Sequence, residues 1–291
     1  MRDDLDKRLH EIQFGSRHPV NSLLAGEYRS CFRGRGIEFD DVREYQPGDE
    51  VRAIDWNVTA RTGSPYVKQF VEERERPVFL VVDVSASFQY GSASGIKRDA
   101  AAELAGLVAL AAAQNNDRVG LLLFTDEVEL FLPPAKGKSH VMTLLSQLYE
   151  FKPKRRGTNL SDAMAYLDRV MRRRSILFVF SDFLDDGYQD ILQRLGHYHE
   201  CTAVHVTDRH ETALPDVGLI RFEDAESGEQ GLIDSASAAV RQDYLRITTG
   251  RLALHRQRMG AGGVGHLHVQ TDDDYVERLI EYFRSRWEGR G

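Results

Sequence analysis

Three oxygen-bearing side chains, Asp83, Ser85 and Ser87, alternate along a short segment that follows the most apolar run of the chain. That run, Val78 to Val82, has the composition of a strand buried on both faces. In open α/β sheets, ligands bind at the carboxyl ends of the strands, because loops diverge there and helix N-termini point inward. One carboxylate and two hydroxyls at such a position are hard oxygen donors, and they predict a site for Mg²⁺ or a similar cation.

Two further polar loops are expected at the same edge of the sheet. Thr158 precedes a predicted helix, and Asp182 follows the second strongly apolar strand. Asp83 and Asp182 would offset the charge of a divalent ion, while hydroxyls and water would fill the remaining positions. Because no His or Cys belongs to the set, the ion would be Mg²⁺, Mn²⁺ or Ca²⁺ in preference to zinc. One exchangeable position would then accept an anionic ligand.

The elements that must position these loops are predicted from residue 76 onward, where apolar strands and helices alternate. Strands are predicted at 78–82, 119–124, 128–131, 176–180, 202–206 and 265–269, and helices at 96–114, from near 139, at 160–171, 188–198, 236–259 and 275–287. This alternation predicts an α/β fold with a mostly parallel sheet covered by helices on both faces. We expect residues 1–75 to form an N-terminal segment packed on a main domain of residues 76–291, with a hairpin insertion at about 217–234.

Composition excludes several classes of protein. The 291 residues are 42% hydrophobic and 29% charged, which is typical of a globular chain. A net charge of −7 argues against a nucleic-acid partner. Two distant cysteines, Cys31 and Cys201, predict neither a disulfide framework nor a zinc ribbon. Since the N-terminus is charged and no apolar stretch is long enough to span a bilayer, we expect a cytoplasmic location without direct membrane insertion.

The five candidate site residues together form a D-x-S-x-S pattern followed by a distant Thr and a distant Asp: Asp83, Ser85, Ser87, Thr158 and Asp182. This pattern resembles the metal-ion-dependent adhesion site of von Willebrand factor A domains, and the resemblance extends from residue 77 to about 287. It implies a von Willebrand A-like fold in which a Glu or Asp of a partner protein completes the metal's coordination. The N-terminal segment from Gly34 to Glu75 resembles the bacterial family known as domain of unknown function 58. Members are commonly encoded beside MoxR-type AAA+ ATPases, so the resemblance implies such an ATPase as partner.

Our leading hypothesis is a non-enzymatic, metal-dependent protein-binding module that acts as an adaptor of a MoxR-type AAA+ ATPase in protein assembly, folding or metal insertion. The alternative is a Mg²⁺-dependent phosphohydrolase, in which Asp83 would be the nucleophile. Phosphatases of the haloacid dehalogenase type need a second Asp two residues after the first, where this chain has Ser85. A purely structural scaffold would leave the five converging oxygens unexplained.

Several other patterns receive less weight. Residues 260–265, GAGGVG, satisfy a dinucleotide fingerprint, but they lie between a predicted helix and a strand, which is the reverse of the required order. Gly137-Lys138-Ser139 lacks the first glycine of a P-loop, because Leu132 stands there. Two histidine pairs have the spacing of neighbours on one face of a strand: His197 with His199, and His266 with His268. Because neither lies near a cysteine or an H-E-x-x-H pattern, we interpret both as polar surface.

A basic run precedes Thr158 and consists of Lys152, Lys154, Arg155 and Arg156. We interpret it as a solvated loop; alternatively, it attracts an acidic partner toward the metal. Four aspartates of the N-terminal segment suggest a second acidic site: Asp40, Asp41, Asp49 and Asp55. Residues 46–49, QPGD, instead favour a turn followed by a capped helix. Trp56 is expected to be a buried anchor of this segment.

Overall fold

The computed structural model describes residues 18–33, 38–51, 54–71, 76–92 and 95–288. The strands are β1 Glu38–Glu44, β2 Tyr66–Val71, β3 Val78–Asp83, β4 Gly91–Ser92, β5 Gly95–Ile96, β6 Val119–Phe124, β7 Val128–Ala135, β8 Ile176–Ser181, β9 Glu200–Thr207, β10 Leu219–Glu223, β11 Gln230–Asp234 and β12 Gly265–Gln270. The helices are α1 His18–Arg33, α2 Trp56–Thr62, α3 Lys97–Gln114, α4 Lys138–Glu150, α5 Leu160–Val170, α6 Gln189–Tyr198, α7 Arg209–Thr212, α8 Ala238–Ala261 and α9 Tyr275–Glu288. From residue 76 onward, the predicted elements agree with these bounds to within a few residues.

A six-stranded sheet forms the centre of the molecule, in the order β12-β9-β8-β3-β6-β7. All neighbours pair in parallel except β6 and β7, which are antiparallel. β3 lies between β6 and β8, and Leu80 is in register with Leu121 and Phe178. The chain winds outward in both directions from β3, as in doubly wound sheets. The predicted von Willebrand A-like fold class is therefore confirmed, including the separate β10-β11 hairpin.

The core consists of two apolar layers, one on each face of the sheet. Leu80 and Val82 of β3 belong to the layer that also contains α1, α3, α4 and α9, whereas Phe79 and Val81 belong to the layer with α5, α6 and Met259 of α8. This division follows from the strand geometry, since successive side chains point to opposite faces. Every residue of β3, β6 and β8 is buried. Helices on both faces hold β3 and β8, and so the loops that follow them, in fixed positions.

The N-terminal segment is held to the core by α1 and not by Trp56. Tyr28 and Phe32 of α1 lie 5.9 and 5.7 Å from the ring of Phe283, and Phe32 lies 5.6 Å from that of Phe178. Trp56 is 65% exposed. The expectation of a buried Trp56 was therefore wrong, because the apolar face of α1 makes the contacts between the N-terminal segment and the core. Where residues 1–75 end and a separate domain begins stays a prediction.

Replacing Phe32 with alanine is expected to lower the free energy of unfolding by about 3–5 kcal/mol, because removal of the large ring creates a cavity in a fully enclosed aromatic cluster. Trp56→Ala is expected to change it by only about 0.5 kcal/mol, as exposed positions usually do. Urea unfolding followed by circular dichroism measures both variants. Equal losses in the two would contradict this description of how the N-terminal segment is anchored.

Local expectations around the turns have mixed outcomes. The turn at residues 46–49 is confirmed, because the Asp49 amide donates to the Gln46 carbonyl at 3.0 Å. The Asp49 carboxylate also pairs with Arg43 at 2.6 Å, and Asp55 caps α2 through the amides of residues 57 and 58. The side chains of Asp40 and Asp41 lie outside the described residues. The helix predicted from near residue 139 is α4, which begins at Lys138 directly after Gly137. Among the described helices, none has the length and apolar character needed to cross a membrane.

Candidate metal and ligand site at the carboxyl ends of the central strands

Asp83 is the last residue of β3, and its side chain is fully buried. Its Oδ1 accepts a hydrogen bond from the Ser85 amide at 2.9 Å, and its Oδ2 accepts one from the Ser181 hydroxyl at 2.9 Å. The hydroxyl oxygens of Ser85 and Ser87 lie 3.1 Å apart. The loop after β3 thus places its oxygen side chains together, as its alternating sequence suggests. Ser181, which joins β8 to this group, was not among the predicted residues.

Asp182 follows β8 directly and forms a buried ion pair with Lys97. The Lys97 ammonium donates to Asp182 Oδ2 at 2.8 Å and to Glu211 Oε1 at 2.7 Å. The side chain of Lys97 is 0% exposed, and that of Asp182 is 3% exposed. Lys97 and Glu211 were missed by the sequence analysis. The available signal was a lysine at the start of an alanine-rich, buried helix, since a buried ammonium requires carboxylate partners.

The charges in this group do not balance. Lys97 contacts the carboxylates of Asp182 and Glu211, so with Asp83 three carboxyl groups share one ammonium, and full ionisation would leave an excess of two negative charges among these four side chains. Burial, followed by the nearby Asp182 carboxylate, raises the pKa of Asp83 to about 7. Burial alone would lower the pKa of Lys97, but its two carboxylate partners hold that pKa above its ordinary value. A divalent cation beside Asp83 would offset the excess charge.

Thr158 lies on a neighbouring loop that is fixed against the loop after β3. The Ala86 amide donates to the Arg156 carbonyl at 2.8 Å, and the Asn159 amide donates to the Thr125 carbonyl at 2.9 Å. The Thr158 hydroxyl itself donates to Glu226 Oε1 at 2.6 Å. The five predicted residues therefore lie on three adjoining loops. The Thr158 hydroxyl, however, donates to Glu226, which was not predicted to belong to the site.

Glu226 belongs to the turn between β10 and β11, so the hairpin insertion lies on the site. A second contact supports this placement, because the Arg156 guanidinium donates to the Ala225 carbonyl at 2.9 Å. The remaining side chains of the basic run are exposed, and Arg155 pairs with Glu127 at 3.5 Å. The basic run is thus a solvated loop, as interpreted, that also contacts the hairpin through Arg156. The hairpin is more than a surface decoration, since it presents a carboxylate to Thr158.

An apolar cleft of about 600 Å³ opens beside Ser87, between the hairpin and the segment after α7. Large apolar side chains line it while remaining in contact with solvent: Leu184 is 52% exposed, Val217 67% and Phe222 52%. Exposed apolar groups gathered in one place are typical of a surface that binds another protein. The cleft and the oxygen-rich loops therefore form one continuous candidate surface.

The donor set fits a hard divalent cation. Carboxylate and hydroxyl oxygens are the ligands that Mg²⁺ and Ca²⁺ prefer, and Asp83, Ser85, Ser87, Thr158 and Asp182 supply only these types. Lys97 donates to Asp182 Oδ2, while Asp182 Oδ1 accepts, from the described residues, only a long 3.3 Å contact of the Leu184 amide. One oxygen of Asp182 thus keeps most of its capacity to bind a cation. The residues present therefore fit a hard divalent cation, and its binding stays a prediction.

The interpretation of the histidine pairs as polar surface was wrong in part. His197 is exposed, but His199 is buried and accepts a hydrogen bond from the Ser175 amide through Nδ1 at 3.1 Å. His266 and His268 do share one face of β12, yet both are half-buried. His268 is in register with His205 of β9, which is buried. The available signal was histidine at matching positions of two predicted strands.

Comparisons with known proteins give the family of this chain. Residues 41–252 match the profile of the family described as protein of unknown function DUF58. An uncharacterized protein of Mycobacterium tuberculosis is 31% identical over 297 residues, which cover 99% of this chain and 93% of that protein. Among solved structures, the protein BatB from Bacteroides thetaiotaomicron is similar with a TM-score of 0.48 and 14% identity, covering 73% of this chain and 99% of that chain. An aerotolerance-related membrane protein from Bacteroides fragilis has a TM-score of 0.49 and 14% identity, covering 74% and 99%. The sequence match spans most of the chain, which belongs to the DUF58 family.

Proposed function

We propose that this chain is a metal-dependent protein-binding module that captures an acidic segment of a partner protein. The observation that carries the proposal is the Glu226 carboxylate on the Thr158 hydroxyl at 2.6 Å, on the loop next to two buried aspartates. A carboxylate therefore fits at this edge of the sheet. A cation held by the two buried aspartates would favour the approach of a further acidic side chain, since it offsets their negative charge.

The cation is proposed to be Mg²⁺, Mn²⁺ or Ca²⁺, held by the oxygen side chains of the three loops: Asp83, Ser85, Ser87, Thr158 and Asp182. When bound, it supplies a positive charge to which a partner carboxylate attaches. Lys97 holds Asp182 in place through the 2.8 Å ion pair and removes part of its negative charge. For this reason we expect modest metal affinity, so that metal and partner stabilise each other.

The partner is proposed to be an AAA+ ATPase of the MoxR type, for which this chain acts as an adaptor in protein assembly, folding or metal insertion. Resemblance to the family supports the class of partner. The apolar cleft beside Ser87 supports the binding mode. An acidic residue of the partner could lie at the oxygen-rich loops near Thr158, while apolar residues next to it in the partner fill the cleft. We expect the partner carboxylate to take the place of the Glu226 carboxylate, because both would approach the loop that carries Thr158.

We propose no enzymatic activity for this site. A nucleophilic aspartate must reach its substrate with a free oxygen, but Asp83 is 0% exposed and both of its oxygens already accept hydrogen bonds. A metal ligand needs no access for a bulky substrate, and each carboxylate oxygen can accept a second partner besides its hydrogen bond. Metal-dependent release of phosphate from simple esters, abolished by Asp83→Asn, would contradict this part of the proposal.

Titration calorimetry with Mg²⁺ tests the metal dependence. The native chain is expected to bind one ion, and Asp83→Asn is expected to bind it at least about 10-fold more weakly, because one charged ligand is lost. Asp168→Asn is a matched control, since Asp168 is 40% exposed and pairs with Arg194 on α6. Equal Mg²⁺ binding by the native chain and Asp83→Asn would contradict the assignment of the site.

A further inference from the structure

A second group of potential ligands lies apart from the oxygen-rich loops, where three histidine rings meet between β9, β12 and α8. The ring centroid of His255, from α8, lies 4.9 Å from that of His205 on β9 and 5.1 Å from that of His266 on β12. The rings of His205 and His266 are 5.8 Å apart. The three residues come from three elements separated in sequence by up to 61 positions, and the fold alone brings them together.

Each of the three rings has one nitrogen whose hydrogen-bonding capacity is unused among the residues that the structure describes. Within the described part of the chain, His205 Nδ1, His255 Nε2 and His266 Nε2 are buried and have no hydrogen-bond partner. One ligand nitrogen from each of the three residues lies within 4.8 Å of the others. A buried polar atom without a partner is rare, because it loses its hydration and gains nothing in return. Three such atoms at one place indicate a group that binds all three.

The surroundings keep the rings in the state that a metal ligand requires. Tyr188 forms a hydrogen bond of 3.0 Å with His255 Nδ1, which fixes that ring and leaves its Nε2 directed elsewhere. Burial, with a smaller contribution from neighbouring positive groups, lowers the pKa of His255 to about 4 and that of His266 to about 3. Both imidazoles are therefore neutral at physiological pH, so an ion need not displace protons from them.

We infer that His205, His255 and His266 form a binding site for a zinc ion. Neutral imidazole nitrogens suit zinc and other transition metals, whereas Mg²⁺ and Ca²⁺ prefer oxygen ligands. Zinc–nitrogen bonds of about 2.0–2.1 Å in a tetrahedron place the donor nitrogens about 3.3 Å apart. The three rings therefore have to move roughly 1 Å or more toward one another when zinc binds. Three protein ligands leave a fourth position for water or for a small ligand.

The position of the cluster gives an ion a path to it and separates it from the first site. A cleft of about 900 Å³ reaches His266 and His268 from the surface. On the other side, the ring of Phe183, the residue after Asp182, lies 4.7 Å from that of His255. The zinc site is thus the neighbour of the oxygen-rich site, with an aromatic ring between them, and it does not depend on the proposed partner or on Mg²⁺.

Titration of the chelator-treated full chain with Co²⁺ tests this inference, because Co²⁺ replaces zinc and reports its ligand geometry. We expect one equivalent to produce the strong visible absorption of a four-coordinate ion, to resist excess Mg²⁺, and to be displaced by Zn²⁺. Co²⁺ at the oxygen-rich site would be six-coordinate and nearly colourless, so the two sites are distinguishable. Failure of the Mg²⁺ experiment would leave this result unaffected.

His266→Gln is expected to lose the absorption, and because His266 is only half-buried the variant should keep the native circular dichroism spectrum. His197→Gln, which changes an exposed histidine of α6, is the matched control and should keep the absorption. His255→Gln provides a second test of the ligand set. Zn²⁺ should also raise the melting temperature of the native chain and not that of His266→Gln. Absence of a four-coordinate spectrum in the native chain, or an equal spectrum in His266→Gln, would overturn the inference and leave ordered water as the partner of these nitrogens.

Discussion

Replacing Lys97 with methionine is expected to lower the free energy of unfolding by about 3–5 kcal/mol in the presence of EDTA. The reason is that Asp182 and Glu211 would lose the ammonium that both contact, and a buried charge without its partner is strongly destabilising. Methionine keeps most of the volume of the side chain, so packing contributes little to the loss. Thermal and urea unfolding of the native chain and of Lys97→Met measure the difference.

Mg²⁺ is then expected to restore much of the lost stability. With Lys97 removed, the three carboxylates of the group have no cation of their own, and a bound divalent ion replaces the missing charge. The gain in melting temperature on adding Mg²⁺ should therefore be larger in Lys97→Met than in the native chain. Lys152→Met, which changes an exposed lysine, is the control. Equal gains in melting temperature in Lys97→Met and Lys152→Met would contradict the expectation that Mg²⁺ replaces the charge of Lys97 among these carboxylates.

Replacing Glu226 with glutamine is expected to strengthen binding of the proposed partner ATPase by about 5-fold. Glutamine can still accept the hydrogen bond from the Thr158 hydroxyl, but it lacks the charge of the carboxylate, which adds about 1 kcal/mol to such a bond. Weakening this internal competitor should leave the stability of the hairpin almost unchanged, because the turn is also held by Asp224 and Ser227.

Glu229→Gln is the matched control for this variant. Glu229 is exposed on the same turn, so its substitution makes the same change in net charge at nearly the same place. A gain in affinity in Glu226→Gln alone would locate the effect at Thr158. Similar gains in both variants would point to general electrostatic repulsion of an acidic partner, and they would contradict the proposed role of Glu226.

The fold could be predicted largely from the sequence because its central strands are continuous apolar runs. Val78 to Val82 and Ile176 to Phe180 are buried on both faces, so their composition alone identifies them as interior strands. Trp56 shows the limit of this reasoning. Its size suggested burial, but whether a large side chain is buried depends on which other apolar face reaches the core first, and here α1 does.

The candidate site was predictable only where its residues follow predicted strands. Asp83, Ser85 and Asp182 stand directly after β3 and β8, and parallel strands place such residues at one edge. The partners of these residues depend on distant contacts. Lys97 is 85 positions from Asp182, and Thr158 is 68 positions from Glu226, so no local pattern relates them. The same reason explains why the cluster of His205, His255 and His266 was not recognised as one site.

Surface plasmon resonance with the purified MoxR-type ATPase of the same organism tests the central claim most directly. The native chain is expected to bind in Mg²⁺ and to lose binding in EDTA, and Thr158→Ala should weaken binding in Mg²⁺ by about 10-fold or more, because a metal-bound hydroxyl is removed. Thr143→Ala, at an exposed threonine of α4 whose hydroxyl bonds only within its helix, should bind like the native chain. Binding that is equally strong in EDTA, or that ignores Thr158→Ala, would contradict the claim that this edge of the sheet is a metal-dependent docking site.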